Sequence, residues 1–150
     1  MKGDIIIVEE DHKQAARAIL PEIIEKIRAK SARYIITVAG ESGSGKSETG
    51  KAIAGELASA GIGAVLLGQD DYFVLPPKSN DAKRREDSEW LGPHVEVRFD
   101  LLEDNLKEAI AGADEIIKPL IDYNENSVED QRVDLKGVKV IIAERTYTSL

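Results

Sequence analysis

The sequence predicts an α/β fold in three layers: a mostly parallel sheet with helices on both faces and a β-hairpin excursion, all in one domain of 150 residues. Three observations lead there. Apolar β-branched runs alternate with segments of helical spacing through most of the chain, the pattern of strands joined by crossover helices. The stretch Gly40-Glu41-Ser42-Gly43-Ser44-Gly45-Lys46-Ser47 fits G-x-x-x-x-G-K-[ST] at every specified position, between a strand pattern and a helix pattern. Two apolar runs end in acidic residues, Asp70-Asp71 and Glu144, where an α/β sheet places its chemistry.

Taken in order, residues 1–33 read as an N-terminal strand and helix, and residues 34–150 as the core. Ile5-Ile6-Ile7-Val8 has buried-strand character. Ile19, Leu20, Ile23, Ile24 and Ile27 recur at helical spacing, and Pro21 marks either the start of that helix or a kink. Tyr34 to Ala39 reads as a buried strand, Lys46 to Ser59 as a helix capped near Gly61, and Ala64 to Gly68 as the next strand. The polar stretch from Pro76 to Glu89 reads as a mobile surface excursion. Asp100 is placed as the N-cap of a helix from Leu101 to Ala111, stopped by Gly112. Ile116 to Tyr123 and Ser127 to Leu135 flank Asn124-Glu125-Asn126 as a hairpin, with Pro119 at an edge or a bulge. Val138 to Ala143 is an apolar strand that delivers Glu144 to the sheet's carboxyl end.

The glycine-rich loop points to phosphate. Its glycines let successive N–H groups turn inward around phosphate oxygens, and the helix that follows adds its positive end. Gly40 through Ser47, with Glu48, are the candidate nucleotide-binding residues. Lys46 would reach the β- and γ-phosphates and the Ser47 hydroxyl would ligate Mg²⁺. Asp70 or Asp71 could take a proton from a substrate hydroxyl, and Glu144 stands where an acidic residue orients Mg²⁺ or its waters. His94 is read as an ordinary surface histidine. With 28 acidic and 20 basic residues the net charge is −8, so nucleic acid and anionic membrane are poor candidate partners. The absence of cysteine excludes a disulfide framework and suits a reducing cytosol. The four-residue apolar run near the start is too short for a signal-peptide core, so a soluble cytoplasmic protein is expected.

The loop, Gln69-Asp70-Asp71-Tyr72-Phe73, the Trp90 to Pro93 segment leading into Phe99-Asp100-Leu101-Leu102, Lys118-Pro119-Leu120-Ile121-Asp122-Tyr123 and Val140 to Glu144 follow one another in a familiar order. From about Tyr34 onward the chain resembles the uridine kinase and phosphoribulokinase family. The resemblance implies a three-layer P-loop nucleoside-triphosphate-hydrolase-like fold and transfer of the γ-phosphoryl group of ATP·Mg²⁺ to a hydroxyl of a small molecule, of nucleoside or sugar type. It assigns Asp70 as the catalytic base beside Lys46, Ser47 and Glu144 to the metal, and Asp71, Tyr72, Tyr123 and Arg132 to the acceptor.

The chain departs from that family in three places. Leu91-Gly92-Pro93 stands where uridine kinases carry Asp-His-Pro, the hairpin turn lacks their His, and Arg145 replaces a small residue after Glu144, close to the expected phosphates. The family continues past the equivalent of Leu150 with two strands and an arginine-bearing lid. From this come three expectations: an open edge on the Tyr34 to Ala39 strand, partly covered by Ile5 to Val8 and completed by a homodimer; slow turnover; and, as the alternative to a kinase, a nucleotide-binding module that lacks its lid. A nucleotide-dependent switch acting on a protein partner is a third reading.

Overall fold

In the computed structural model, which describes residues 1–146, strand β5 (Val138–Arg145) lies in the middle of a three-stranded parallel sheet. β1 (Tyr34–Ala39) flanks it on one side and β2 (Gly63–Gly68) on the other. Val140 and Ile142 of β5 point into one core and Ile141 into the other. Burial on both faces is why this strand reads as a continuous apolar run instead of an alternating one.

The first core is closed by α1 (Glu10–Ala29) and α2 (Lys46–Ser59), which bring Leu20, Ile27, Ile53 and Leu57 against Ile36. The second lies under α5 (Phe99–Ile110) and the hairpin of β3 (Glu115–Asp122) and β4 (Ser127–Asp134), with Leu67, Tyr72, Leu102 and Ile116 fully enclosed. Helices therefore cover both faces of a parallel sheet, as expected. Each of these aliphatic side chains contributes about 1.5–3 kcal/mol by leaving water. Between β2 and α5 the chain forms a 3₁₀ turn at Gln69–Tyr72, then α3 (Pro77–Glu86) and the short α4 (Pro93–Glu96).

The structure corrects four expectations. Residues 5–8 form no strand, and Ile5 is 83% exposed. A capping box joining Glu9 and His12 starts α1 at Glu10, two residues after Val8. Lys2 instead bridges Asp122 in parallel, its N–H donating to the Ile121 carbonyl at 2.8 Å. The outer edge of β1 has no strand partner among the described residues. Second, of the two alternatives for Pro21 the helix start is excluded: the proline lies inside α1 and is exposed, so the carbonyl it leaves without a partner one turn back can be hydrated. Third, the Pro76 to Glu89 stretch contains the ten-residue helix α3. Pro77 stands at its first turn, where a missing N–H costs nothing, and Ala82, Lys83, Arg84 and Arg85 are strong helix formers. Fourth, α5 begins at Phe99, so Asp100 is a first-turn residue that favours the helix dipole without capping it.

One side chain ties the layers together. Arg33, in the α1–β1 connection, donates to the carbonyls of Val138 at 3.0 Å, Ala109 at 2.7 Å and Leu135 at 2.8 Å. Arg33→Ala strips three partly buried carbonyls of a charged donor and is expected to lower stability by about 2–3 kcal/mol in urea unfolding. Arg33→Lys should restore little, because an ammonium lacks the planar fork. A loss below about 0.5 kcal/mol would contradict this reading.

Candidate active site

The phosphate loop closes the gap between β1 and α2. Gly43 and Gly45 take φ of 77° and 79°, a left-handed backbone that turns the loop's N–H groups inward. Lys46 is buried, and its Nζ donates to the Glu41 carbonyl at 2.7 Å, so the lysine folds back across the loop. One residue further on, Ser47 Oγ donates to Glu144 Oε1 at 2.8 Å. The register explains that meeting: Glu144 lies opposite both Val38 and Gly68, so the central strand delivers its carboxylate between the ends of its neighbours. Glu48 follows in the first turn of α2, half-buried.

Burial pushes the Glu144 carboxyl up from its ordinary range, and nearby Asp70 adds to the push, against the hydrogen bond from Ser47 and the charge of Lys46. Asp70 sits in the 3₁₀ turn directly after β2. Burial pushes its carboxyl up too, opposed by the amino terminus and Lys46 and reinforced by Asp71 and Asp4. Lys46, Ser47, Asp70 and Glu144 therefore share one electrostatic centre at the carboxyl end of the sheet. Their hydroxyl and carboxylate oxygens suit a hard cation such as Mg²⁺. Among the described residues no cluster of three or more His, Cys, Asp or Glu could hold a metal unaided, so an ion here would complete its shell with phosphate oxygens and water.

Asp70 also lines a cavity of about 210 Å³ with Phe73, Leu75, Pro77, Asn80, Arg84 and Ile121. The adjacent Asp71 is held by the hairpin and by Met1. It is buried, accepting from Lys118 Nζ at 2.6 Å and from the Ile121 N–H at 3.2 Å, with the Met1 amino group 3.3 Å away. It fastens the hairpin to the site, and two of its partners, Met1 and Ile121, line the same cavity as Asp70. Tyr72 is likewise a core residue, fully enclosed, with its hydroxyl donating to Asn105 Oδ1 at 2.8 Å. Arg132 lies opposite Ile117, well down the hairpin from Asp122, and pairs with Glu115 at 2.7 Å. Tyr123, half exposed, directly follows β3, its N–H donating to the Lys2 carbonyl. Arg145 stacks over Phe99, 5.4 Å from the ring centroid, so it faces α5 and not the phosphate loop. His94 is exposed.

The cavity wall contributed by α3 escaped sequence reasoning. Trp90 Nε1 donates to Asn80 Oδ1 at 2.7 Å, and Arg84 forms a two-pronged pair with Glu96, which is 1% exposed and held below the usual carboxylate range by that arginine. Asn126 in the hairpin turn clasps the same helix, accepting from the Lys78 N–H and donating to Ser79 Oγ, each at 2.9 Å. The one available signal was Pro77 before a run of helix formers.

Fold and loop together define a P-loop kinase-type protein. The chain belongs to the Zeta toxin family, whose model matches residues 9–118. It is 29% identical over 124 residues to the bifunctional alpha-galactosidase/sucrose kinase AgaSK of Mediterraneibacter gnavus, a match that covers 77% of this chain and 13% of that much longer protein. Among solved structures it resembles a candidate fructose transport system kinase from Silicibacter sp. TM1040, with a TM-score of 0.70 at 19% identity, covering 88% of this chain and 63% of the other. A candidate uridine kinase from Bacillus stearothermophilus gives 0.69 at 17% identity, over 87% and 71% of the two chains. D-glycerate 3-kinase from Cryptococcus neoformans gives 0.61 at 17%, over 91% and 52%. Among the described residues, no helix is long and apolar enough to cross a membrane.

Two carboxyls pushed up by burial cost stability once ionised. For such groups the stabilisation is full below the unfolded-state pKa and lost as pH rises through the folded one. Glu144→Gln keeps an acceptor for Ser47 and removes the charge, so at pH 7 the nucleotide-free variant should be more stable by about 0.5–2 kcal/mol, the usual gain from such relief. The gap in melting temperature should close towards pH 4. A variant that melts lower than the parent at pH 7 would contradict the placement.

Proposed function

We propose that this chain is the core of an ATP-dependent small-molecule kinase, transferring the γ-phosphoryl group to a hydroxyl of a nucleoside- or sugar-type acceptor in the manner of uridine kinases. The observation that carries the reading is the position of Asp70. Its carboxylate lines the cavity while sharing an electrostatic centre with Lys46, Ser47 and Glu144. Its raised pKa makes it a stronger base than an ordinary aspartate.

The reaction then needs little from the protein beyond placement and charge. The loop N–H groups and Lys46, released from the Glu41 carbonyl, hold the phosphate chain of ATP. An acceptor hydroxyl in the cavity gives its proton to Asp70 as its oxygen bonds the γ-phosphorus. The bond from that phosphorus to the β,γ-bridging oxygen breaks, leaving ADP and a phosphate monoester. Ser47 and Glu144 would hold Mg²⁺, which supplies charge neutralisation to the phosphates. Apolar Phe73, Leu75 and Ile121 exclude water from the acceptor, and Asn80 and Arg84 offer it polar edges. A kinase activity named for the sucrose kinase relative supports the class of reaction.

A nucleotide-binding module with little turnover is the second reading, favoured by Met1, which lines the cavity beside Asp70 where an acceptor would lie. We place the protein in the cytosol as a soluble chain, and a homodimer through the free edge of β1 would bury that edge.

With labelled ATP and a panel of nucleosides, pantothenate, sugars and sugar phosphates, an acceptor-dependent product is expected. Asp70→Asn should lower kcat by roughly 10²–10⁴ with ATP affinity nearly intact. Lys46→Ala should weaken ATP binding by about 1.5–3 kcal/mol in calorimetric titration. Binding of ATP with ADP release that no acceptor stimulates would favour the module. Damage from Asp71→Asn confined to kcat, with Asp70→Asn harmless, would overturn the assignment of the base.

A further inference from the structure

We infer that His12, on α1 and outside the loop motif, is an additional phosphate-chain ligand of the nucleotide site. The inference rests on the reading of the loop as a nucleotide site and adds a residue to it. The local sequence fixes how this ring is held. In the capping box of α1, the Glu9 N–H donates to His12 Nδ1 at 3.1 Å, so in the neutral imidazole the proton resides on Nε2. Nε2 is thereby a donor, and among the described residues it has no acceptor of its own.

That donor points at the loop. A Cβ built on Gly45 would lie 3.2 Å from His12 Nε2. Gly45 precedes Lys46 and is the N-cap of α2, so its surroundings are those of the bound phosphates. Gly45 is thus constrained twice, by its positive φ and by the imidazole beside it. The ring is also carried on a fixed support. α1 packs along α2 through Ala16 and Leu20 in the first core, and Arg17 Nε pairs with Glu56 Oε1 of α2 at 2.9 Å. The side chain that reaches Gly45 therefore comes from a helix bolted to the one whose N-terminus cradles the phosphates. An N–H donor placed there with nothing to donate to is suited to a phosphate oxygen.

The test is titration calorimetry with ATP·Mg²⁺ and with tripolyphosphate on the parent, His12→Phe and His12→Gln, alongside thermal melting without ligand. His12→Phe keeps a ring and removes the donor, and should weaken both ligands by about three- to tenfold, the loss of one neutral hydrogen bond. His12→Gln places an amide N–H at similar reach and should bind within about twofold of the parent. A role confined to capping α1 would instead lower the melting temperature of His12→Phe, which loses the acceptor for the Glu9 N–H, spare His12→Gln, and leave affinity for both ligands unchanged in both. Unchanged or tighter binding by His12→Phe, with the parent binding normally, overturns the inference alone, tighter binding meaning that the ring obstructs the site. Failure of the parent to bind either ligand overturns the reading of the loop and this inference with it.

Discussion

The structure depends on the burial of one strand on both faces. β5 pairs on its two edges with β1 and β2, and four successive residues, Val140 to Ala143, are shut away from water. No other run among the described residues has that degree of enclosure. Because its apolar run cannot shift along its neighbours without exposing those residues, the register is fixed, and with it the place where Glu144 emerges. The phosphate loop and the Asp70 turn are then set by the same sheet, since β1 leads into one and β2 into the other.

That arrangement stores electrostatic tension in the nucleotide-free protein. Two carboxyls are pushed up by burial, while the lysine and serine beside them satisfy themselves locally, Lys46 on the Glu41 carbonyl and Ser47 on Glu144. Both contacts use groups that the motif reserves for phosphate and metal. On the proposed reading, ligand binding would exchange them for stronger partners, so the cost of holding the site open would be offset only when the site is filled. The Asp71–Lys118 pair has the opposite character. Both partners are buried and matched, and they lock the hairpin, hence the Ile121 wall of the cavity, to the turn that carries Asp70.

The parts legible in the sequence were those where pattern and burial agree. β1 and α2 carry their expected limits because the loop between them is defined residue by residue; β5 starts at Val138 as expected, because a β-branched run of that length has no other place in such a fold, and runs on past Ala143 to Arg145. The N-terminal run was misread because Ile5 to Val8 is as apolar as a strand, while the chain before it pairs at Lys2 with the end of β3, a contact distant in sequence. α3 was missed because its polar composition resembles a loop; what makes it a helix is its clasp by Asn126 and the Trp90–Asn80 bond, contacts between residues ten or more apart. Composition could not separate Asp70 from Asp71 either. Adjacent carboxylates after a strand are equivalent until one of them meets a lysine from β3, and Lys118 is distant in sequence.

The account's central claim is that the Lys46–Glu41 and Ser47–Glu144 contacts are placeholders in a site built for ATP·Mg²⁺. The most direct test is a crystal structure with a non-hydrolysable ATP analogue and Mg²⁺. The account predicts Lys46 Nζ on the β- and γ-phosphate oxygens, Ser47 Oγ on the ion, and the γ-phosphate facing the Asp70 carboxylate across the cavity mouth. A bound analogue that leaves both contacts as they are, with its terminal phosphate directed away from Asp70, would contradict it.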